Sequence, residues 1–325
     1  MTDDTNNRFD NAHKIVQALK NEINKVLIGQ ENVVDHVLIA LLANGHVLIE
    51  GVPGLGKTLL VRALAKCFHG GFSRVQFTPD LMPSDITGHA MYNMANQQFQ
   101  VRKGPVFTNL LLADEINRAP AKTQAALLEV MQERHVTIEG KSFETGQPFM
   151  VLATQNPVEQ EGTYPLPEAE LDRFLMKIFI DYPEEDDEKN MVKHITSGKS
   201  NESFSLDDIK SIIQPKDIIA IQQLVANTTI DDQVIDYAVR IVRATRDWVG
   251  IAMGAGPRGS LAVTRAAKAF ALLNGRDFVT PDDIKGVVIP VLRHRLLLSA
   301  DMEIEGITQD QILTEILQQV TAPRL

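Results

Sequence analysis

The feature that most constrains the fold is a predicted strand, a glycine-rich loop and a helix in direct succession over residues 46–66. Val47, Leu48 and Ile49 form an apolar run typical of a buried parallel strand. The residues that follow the strand read G-x-x-x-x-G-K-T. The next helix carries apolar residues at helical spacing, namely Leu59, Leu60, Ala63 and Leu64. This order predicts an α/β fold in which the loop joins a buried strand to a helix N-terminus.

The loop has the residue types needed to hold a phosphate chain. Its glycines permit backbone dihedrals closed to other residues and turn successive N–H groups inward, and the helix dipole adds positive potential. Lys57 would reach the β- and γ-phosphates, and the Thr58 hydroxyl would ligate Mg²⁺. We therefore expect ATP to be bound by Gly51, Val52, Pro53, Gly54, Leu55, Gly56, Lys57, Thr58 and Leu59. A glycine-rich turn with an exposed lysine is the alternative.

A second apolar run ends in two adjacent carboxylates, Asp114 and Glu115. A buried parallel strand would bring them to the carboxyl edge of the sheet, where open α/β sheets bind ligands. Asp114 would hold the hydration shell of Mg²⁺, and Glu115 could polarise a water for attack on the γ-phosphate. Solvated acids on a strand-to-helix turn are the alternative.

Asn156 follows another apolar strand, predicted over residues 149–154, and would share that edge. Its amide could orient the attacking water, whereas a turn-forming Asn before Pro is the plainer interpretation. Two amphipathic helices are predicted at the start of the chain, over residues 8–26 and 33–42. The turn between them holds Ile28 and Gln30, which could lie against an adenine ring or could simply connect the helices.

The remaining pattern predicts further strands, hairpins and then helices. Strands are expected over 74–78 and 171–180, a hairpin or projecting loop over 91–103, irregular structure over 79–88, a helix over 119–134 and a hairpin over 135–147. An acidic run at 183–189 indicates a domain boundary or an exposed helix start, and a solvated face is the plainer interpretation. We expect a domain 1–183 and a small helical domain 184–325. Helices are expected there over 184–196, 207–226, 231–245, 258–273 and 281–298.

Composition limits the remaining classes of function. The 325-residue chain has a formal net charge of −10, which argues against a broad nucleic-acid surface because phosphate contacts need clustered Lys and Arg. A single cysteine, Cys67, excludes an intrachain disulfide and fits a reducing cytosol, so we expect a cytoplasmic protein. The histidines lack metal-binding spacing, and no apolar run is long enough to span a membrane.

Several segments together resemble the MoxR family of AAA+ ATPases. They are GVPGLGKT at 51–58, LLLADEINRA at 110–119, ATQNP at 153–157, EGTYPLPEA at 161–169 and LDRF at 171–174. The resemblance runs from about Ile28 to Arg295. It implies a five-stranded parallel αβα core, a helical lid, and a ring, commonly hexameric, with ATP and Mg²⁺ between subunits.

The resemblance also implies roles for polar residues. Arg173 matches an arginine finger given in trans to a neighbour's γ-phosphate, although a strand-end salt bridge is the alternative. Arg258 matches sensor 2, reaching the phosphate in cis, and Asn156 matches sensor 1. Arg118 is a lower-ranked interface candidate. The segments 91–103 and 135–147 look like insertions that project towards the pore or a partner.

The residues and the resemblance favour an ATP-hydrolysing, chaperone-like remodeller. In the family the client is often a von Willebrand factor A-domain protein, and the task is maturation, metal insertion or complex assembly. A nucleotide-gated scaffold with little turnover, a chelatase-like motor and a DNA-directed AAA+ motor are the alternatives.

Overall fold

The computed structural model describes residues 2–51, 54–94, 97–156, 163–197 and 206–323. Val52 and Pro53 of the expected phosphate loop lie outside the described residues, as does the segment 157–162. The strands are β1 (Val47–Gly51), β2 (Phe72–Gln76), β3 (Gly88–Asn93), β4 (Gln98–Lys103), β5 (Leu110–Asp114), β6 (His135–Ile138), β7 (Lys141–Glu144), β8 (Met150–Gln155), β9 (Met176–Ile180), β10 (Thr229–Ile230), β11 (Ile251–Met253), β12 (Phe278–Val279) and β13 (Leu297–Leu298).

The helices follow the same chain order. They are α1 (Thr2–Asn24), α2 (Glu31–Leu42), α3 (Lys57–Cys67), α4 (Pro83–Thr87), α5 (Ala121–Glu133), α6 (Glu168–Leu171), α7 (Glu185–Ser197), α8 (Pro215–Ala226), α9 (Asp232–Asp247), α10 (Pro257–Leu273), α11 (Pro281–Leu292), α12 (Ala300–Ile304) and α13 (Gln309–Gln319). Within the described residues, no helix has both the length and the apolarity needed to cross a bilayer.

The central sheet is parallel and has the strand order β2-β5-β8-β1-β9. Alternate residues of its strands enter two different cores: Val47 and Ile49 pack with α1, α2 and α3, whereas Leu48 packs on the opposite face with α5. Side chains of successive strand residues point to opposite faces, so apolar runs such as Val47–Ile49 need helices on both sides. The predicted five-stranded αβα core is therefore confirmed.

Two hairpins extend from the core. In one, β3 pairs antiparallel with β4 from Gly88 opposite Lys103, and in the other β6 pairs with β7. Glu139 and Gly140 turn the second hairpin with positive φ angles of 47° and 73°, as in a tight two-residue hairpin turn. Both segments thus form the hairpins allowed by their alternating sequence.

One short helix, α4, lies where irregular structure was expected. Pro83 occupies its first turn, where a missing N–H costs nothing, and the Asp85 carboxylate accepts the Met82 N–H at 2.9 Å. The proline that suggested a loop therefore starts a helix.

The C-terminal part is helical but differs in detail from the prediction. Helix α8 begins at Pro215 rather than at residue 207, because the residue before proline is held extended and Gln214 has a φ of −108° and a ψ of 164°. Helix α11 ends at Leu292 instead of 298, since Leu297 and Leu298 pair with β11. Two short strand pairs, β10 with β12 and β11 with β13, and helix α13 were not predicted.

The helical part packs directly against the N-terminal helices. The Arg265 guanidinium of α10 donates to the Ala43 carbonyl at 2.6 Å, and Gln222 of α8 donates to the Leu41 carbonyl at 2.7 Å. In α1, the Gln17 amide donates to the Leu273 carbonyl at the end of α10 at 2.7 Å. The carbonyls at the C-termini of α2 and α10 thereby gain partners, and α10 is fixed relative to the sheet.

Candidate nucleotide-binding site

The phosphate loop lies between the end of β1 and the start of α3. Gly54 and Gly56 have positive φ angles of 89° and 79°, and no heavy atom lies within 4 Å of where a Cβ would sit on either. Gly56 is the residue before α3 and has no side chain to cap the first N–H groups of the helix. The described part of the loop is therefore open, and the uncapped N-terminus of α3 is suited to a phosphate chain.

The Lys57 side chain extends from the start of α3 back to the end of β1. Its ammonium donates to the Gly51 carbonyl at 2.5 Å. Burial lowers the pKa of Lys57, while the carboxylates of Asp114, Glu115 and Glu50 act in the opposite direction. The ammonium is therefore partly dehydrated, and the three acids favour its charged form. Thr58 and Leu59 follow in the first turn of α3 and are half-buried.

The two acids lie at the carboxyl end of β5, beside the end of β8. The Thr154 hydroxyl donates to Asp114 Oδ1 at 2.6 Å and accepts the Glu115 N–H at 2.8 Å. Glu115 has a φ of 56°, an uncommon left-handed conformation for a residue with a side chain. Thr154 therefore fixes the turn that presents both carboxylates, and sequence spacing alone did not identify it.

Strand β2 contributes two further residues that the sequence analysis missed. The Arg74 guanidinium donates to Asp114 Oδ2 from Nε at 3.2 Å and from Nη2 at 2.6 Å. The Gln76 amide donates to Glu115 Oε2 at 2.6 Å, and Arg118 Nη1 donates to the same oxygen at 3.1 Å. Arg74 and Gln76 are two residues apart, so they share one face of a strand, but only the pairing of β2 with β5 brings them to the acids.

The Mg²⁺ ligands expected from sequence, Thr58 and Asp114, come from the start of α3 and the end of β5. Among the described residues, no group of three or more His, Cys, Asp or Glu side chains forms a metal cluster. Mg²⁺ in phosphoryl-transfer sites takes one or two protein oxygens and completes its shell with phosphates and water. A hydroxyl and a carboxylate beside an open phosphate cradle fit that requirement.

The turn before α2 lies against the phosphate loop. The Gln30 amide donates to the Leu55 carbonyl at 3.2 Å, and its buried Oε1 has no hydrogen-bond partner. Ile28 is half-buried in the same turn. A buried acceptor without a donor is costly, so Gln30 is suited to receive an N–H from a bound base. Asn156, expected to orient the attacking water, is buried directly after β8 at the same sheet edge.

Arg173 lies at the opposite edge of the sheet. The predicted strand over 171–180 begins only at Met176, so Arg173 belongs to the turn before β9. Its Nη1 donates to the Leu128 carbonyl at 3.2 Å and to Gln132 Oε1 at 2.5 Å, both on α5. Strand β1 separates this edge from the phosphate loop by about 16 Å, at the usual rise per strand residue.

Arg258 is also at this second edge, whereas the resemblance implied that it reaches the phosphate of its own subunit. Its Nη1 lies 3.5 Å from Asp172 Oδ2, and its side chain is 70% exposed. Arg295 donates to the other oxygen of Asp172 at 2.7 Å. Arg173 and Arg258 line one cleft of about 320 Å³. The packing of α10 against α2 carries Arg258 to this face instead of over the loop.

Comparison with known families agrees with the two parts of the fold. The model for the ATPase family associated with various cellular activities (AAA) matches residues 46–176, and the AAA lid domain model matches residues 243–316. The first match spans the phosphate loop and both acids, and the second includes Arg258.

Individual relatives match almost the whole chain. Chaperone MoxR1 of Mycobacterium tuberculosis is 45% identical, with 94% of this chain and 81% of the relative covered. Protein MoxR of Methylorubrum extorquens is 32% identical, with 92% and 91% covered. A crystal structure of a candidate ATPase from Cytophaga hutchinsonii is 42% identical, has a TM-score of 0.89, and is aligned over 99% of this chain and 98% of that chain.

Proposed function

The chain belongs to the MoxR family of AAA+ ATPases, and we propose that it hydrolyses ATP at sites shared between neighbouring subunits of a ring. The observation that carries the proposal is the separation of the site into two edges. The phosphate loop and the acids lie at one edge of the sheet, and Arg173 and Arg258 lie at the other. A single subunit therefore does not bring Arg173 and Arg258 to its own nucleotide, whereas two subunits in head-to-tail contact would bring them to the nucleotide of the neighbour.

Within the phosphate edge, each residue has a distinct task. Lys57 and the loop N–H groups hold the β- and γ-phosphates, and Gln30 with Ile28 contacts the base. Glu115 accepts a proton from the attacking water, which Asn156 orients. Thr58, and Asp114 through a hydration shell, would hold Mg²⁺, which would supply positive charge to neutralise the phosphates. Arg173 and Arg258 of the adjacent subunit stabilise the negative charge that develops in the transition state.

The acids are held by other side chains in this structure. Arg74 forms an ion pair with Asp114. Gln76 and Arg118 each donate a hydrogen bond to Glu115 Oε2. These hydrogen bonds hold Glu115 at the carboxyl end of β5, where the proposed attack on the γ-phosphate takes place.

The work done by hydrolysis is chaperone-like remodelling of a protein client. The hairpin of β3 and β4 supports this part of the proposal, because its Tyr92 and Phe99 side chains are 51% and 73% exposed. The centroids of the two rings are 5.3 Å apart. Large exposed apolar side chains are suited to contact another protein. The Mycobacterium tuberculosis relative carries the name chaperone. On the basis of the family, we further propose that the ring is a hexamer in the cytoplasm. We propose that its client is a von Willebrand factor A-domain protein, which it matures by metal insertion or complex assembly.

The experiment is the steady-state ATPase rate per subunit against protein concentration, with Arg173→Ala measured in parallel. We expect the wild-type rate to rise with concentration and the variant to bind ATP but lose turnover by about 10³-fold or more. Arg240→Ala, at an exposed arginine of α9, is the matched control and should keep the wild-type rate. A rate that does not depend on concentration and survives Arg173→Ala would contradict the proposal.

A further inference from the structure

A cavity of about 620 Å³ lies where the helical domain meets the sheet domain, apart from the phosphate loop. Its walls are the end of α2, the segment from Gln147 to Phe149 before β8, and helices α8 and α10. This volume is that of a typical small-molecule site. The cavity is therefore large enough for an organic ligand.

The cavity walls are largely apolar. On α10, Leu261, Thr264, Arg265 and Lys268 follow one another at helical spacing, so one face of this helix lines the space. Leu261 is 67% exposed, and Ile235 at the start of α9 is 37% exposed. Apolar side chains that line a concave space while still exposed gain free energy when an apolar ligand covers them.

Three cations line the same cavity. Arg265 donates to the Ala43 carbonyl at 2.6 Å and to the Asn44 carbonyl at 3.1 Å, and Arg134 donates to Asn44 at 3.4 Å. Lys268 donates to the Ala226 carbonyl at 2.8 Å. In the part of the chain that the structure describes, none of the three has a carboxylate within 4.0 Å.

The carbonyl contacts do not neutralise these charges. Loss of hydration lowers the pKa of Arg134, Arg265 and Lys268, and the charge of Arg134 lowers the pKa of Arg265 further. Each side chain also keeps N–H groups beyond those that the carbonyls accept. Like charges near an apolar surface favour an anion that pairs with them and displaces the remaining water.

We propose that this cavity binds a small amphiphilic anion, with a carboxylate or phosphate head on Arg134, Arg265 and Lys268 and an apolar body against Leu261 and Ile235. The cavity shares no residue with the phosphate loop, but Arg134, Leu261 and Arg265 also line the cleft of Arg173 and Arg258, so the test is made without nucleotide and does not depend on ATP hydrolysis. A ligand there contacts α10 from Leu261, one turn after Arg258, to Lys268, and it contacts the C-terminal end of α2 at the same time. Its binding therefore fixes the position of the helical domain, and of Arg258, relative to the sheet.

The test is calorimetric titration of the full chain without nucleotide, using decanoate, decyl phosphate and the neutral decanol as probes. We expect one saturable site for at least one anion, with decanol about tenfold weaker or more. Decanoate and decyl phosphate distinguish a carboxylate ligand from a phosphate ligand. Absence of saturable binding by both anions, or equal binding of decanol, would overturn the inference.

Variants separate the charge from the apolar contact. Lys268→Met keeps the aliphatic stem and should weaken the anion about tenfold while leaving decanol unchanged. Leu261→Asn, at an exposed position, should weaken all three probes. Lys122→Met, at an exposed lysine of α5 outside the cavity, is the control and should bind as the wild type does. Unchanged anion affinity in Lys268→Met would also overturn the inference, whatever the ATPase rate.

Discussion

At the scale of the residue, Lys57 connects the two halves of the phosphate site. Its ammonium contacts the Gly51 carbonyl, and the pKa of Lys57 reflects both burial and the neighbouring acids. A cation held at the mouth of an anion cradle adds attraction that backbone N–H groups alone do not supply. We therefore expect the affinity for nucleotide to depend more on the charge of the Lys57 side chain than on the backbone conformation of the loop.

Lys57→Ala should abolish measurable ATP binding, because the β- and γ-phosphates lose their only cationic contact from the loop. Isothermal titration with ATP and Mg²⁺ measures this directly. Lys66→Ala, at the far end of α3, is the control and should keep wild-type affinity. Retained tight binding by Lys57→Ala would remove this residue from the phosphate site.

His46 is a buried neutral histidine at the start of β1. Its Nδ1 accepts the Val151 N–H at 3.0 Å, so Nε2 carries the proton and donates to the Met131 carbonyl at 3.1 Å. Burial lowers the pKa of His46 from 6.5 to about 4. A second proton on Nδ1 would break the hydrogen bond from the Val151 N–H. His46 is therefore harder to protonate in the folded state than in the unfolded chain.

Stability should consequently fall as the pH drops from about 6.5 towards 4, and should stay flat for this group above pH 6.5. Between pH 8 and pH 5 the expected loss from His46 is about 2 kcal/mol in the free energy of unfolding. Urea unfolding at both pH values, with His46→Gln for comparison, measures it. The variant should lose less on acidification, and an equal loss would assign the effect to other groups.

At the scale of the element, the N-terminus of α11 shows how a buried charge is accommodated. Asp283 is fully buried, and Arg276 donates to its two oxygens from Nη1 and Nη2, each at 2.6 Å. The Thr280 N–H and hydroxyl donate to Asp283 Oδ2 at 2.8 Å. These hydrogen bonds cap the helix and compensate for the loss of hydration of the carboxylate.

Arg276→Ala should lower the free energy of unfolding by about 3–5 kcal/mol, because it leaves Asp283 buried without its counter-charge. Lys285→Ala on the same helix removes the exposed pair with Asp282 and should cost less than about 1 kcal/mol. Urea unfolding of both variants compares them. Equal losses would mean that Thr280 alone stabilises the buried carboxylate.

At the scale of the whole molecule, the proposal of shared sites depends on the two opposite edges of the sheet. The phosphate loop is at one edge, and the cleft with Arg173 and Arg258 is at the other. A ring formed by head-to-tail contact repeats the same pairing at every interface. The domain division at residues 183 and 184, which we retain as a proposal, separates the strands of the sheet from the helices that carry Arg258.

Equimolar mixing of Lys57→Ala with Arg173→Ala should restore turnover, although each variant alone is inactive. In a random ring, about a quarter of the sites pair an intact phosphate loop with an intact Arg173 from the neighbour. The ATPase rate of the mixture is the measurement. Mixing Arg173→Ala with the double variant is the control and should restore nothing. No recovery in the first mixture would argue against shared sites.

The sequence by itself determined the αβα core, and it indicated that the glycine-rich loop and the pair of acids lie at one edge of the sheet. These depend on local information: an apolar run must be buried on both faces, and glycines with a following lysine define an anion cradle. The helical character of the C-terminal part was also predicted, but the residues at which its helices begin and end were not. Pro215 and the pairing of Leu297 with β11 set those ends through backbone contacts that periodicity does not encode.

Only the tertiary structure decided which side chains meet. Arg74 and Gln76 reach the acids because β2 pairs with β5, and strand order is a long-range property. Arg258 lies beside Asp172 because α10 packs against the end of α2, so a residue that sequence motifs assigned to the phosphate faces the opposite edge. The physical reason is that local sequence sets backbone conformation, whereas the meeting of distant side chains depends on how the whole set of buried surfaces packs.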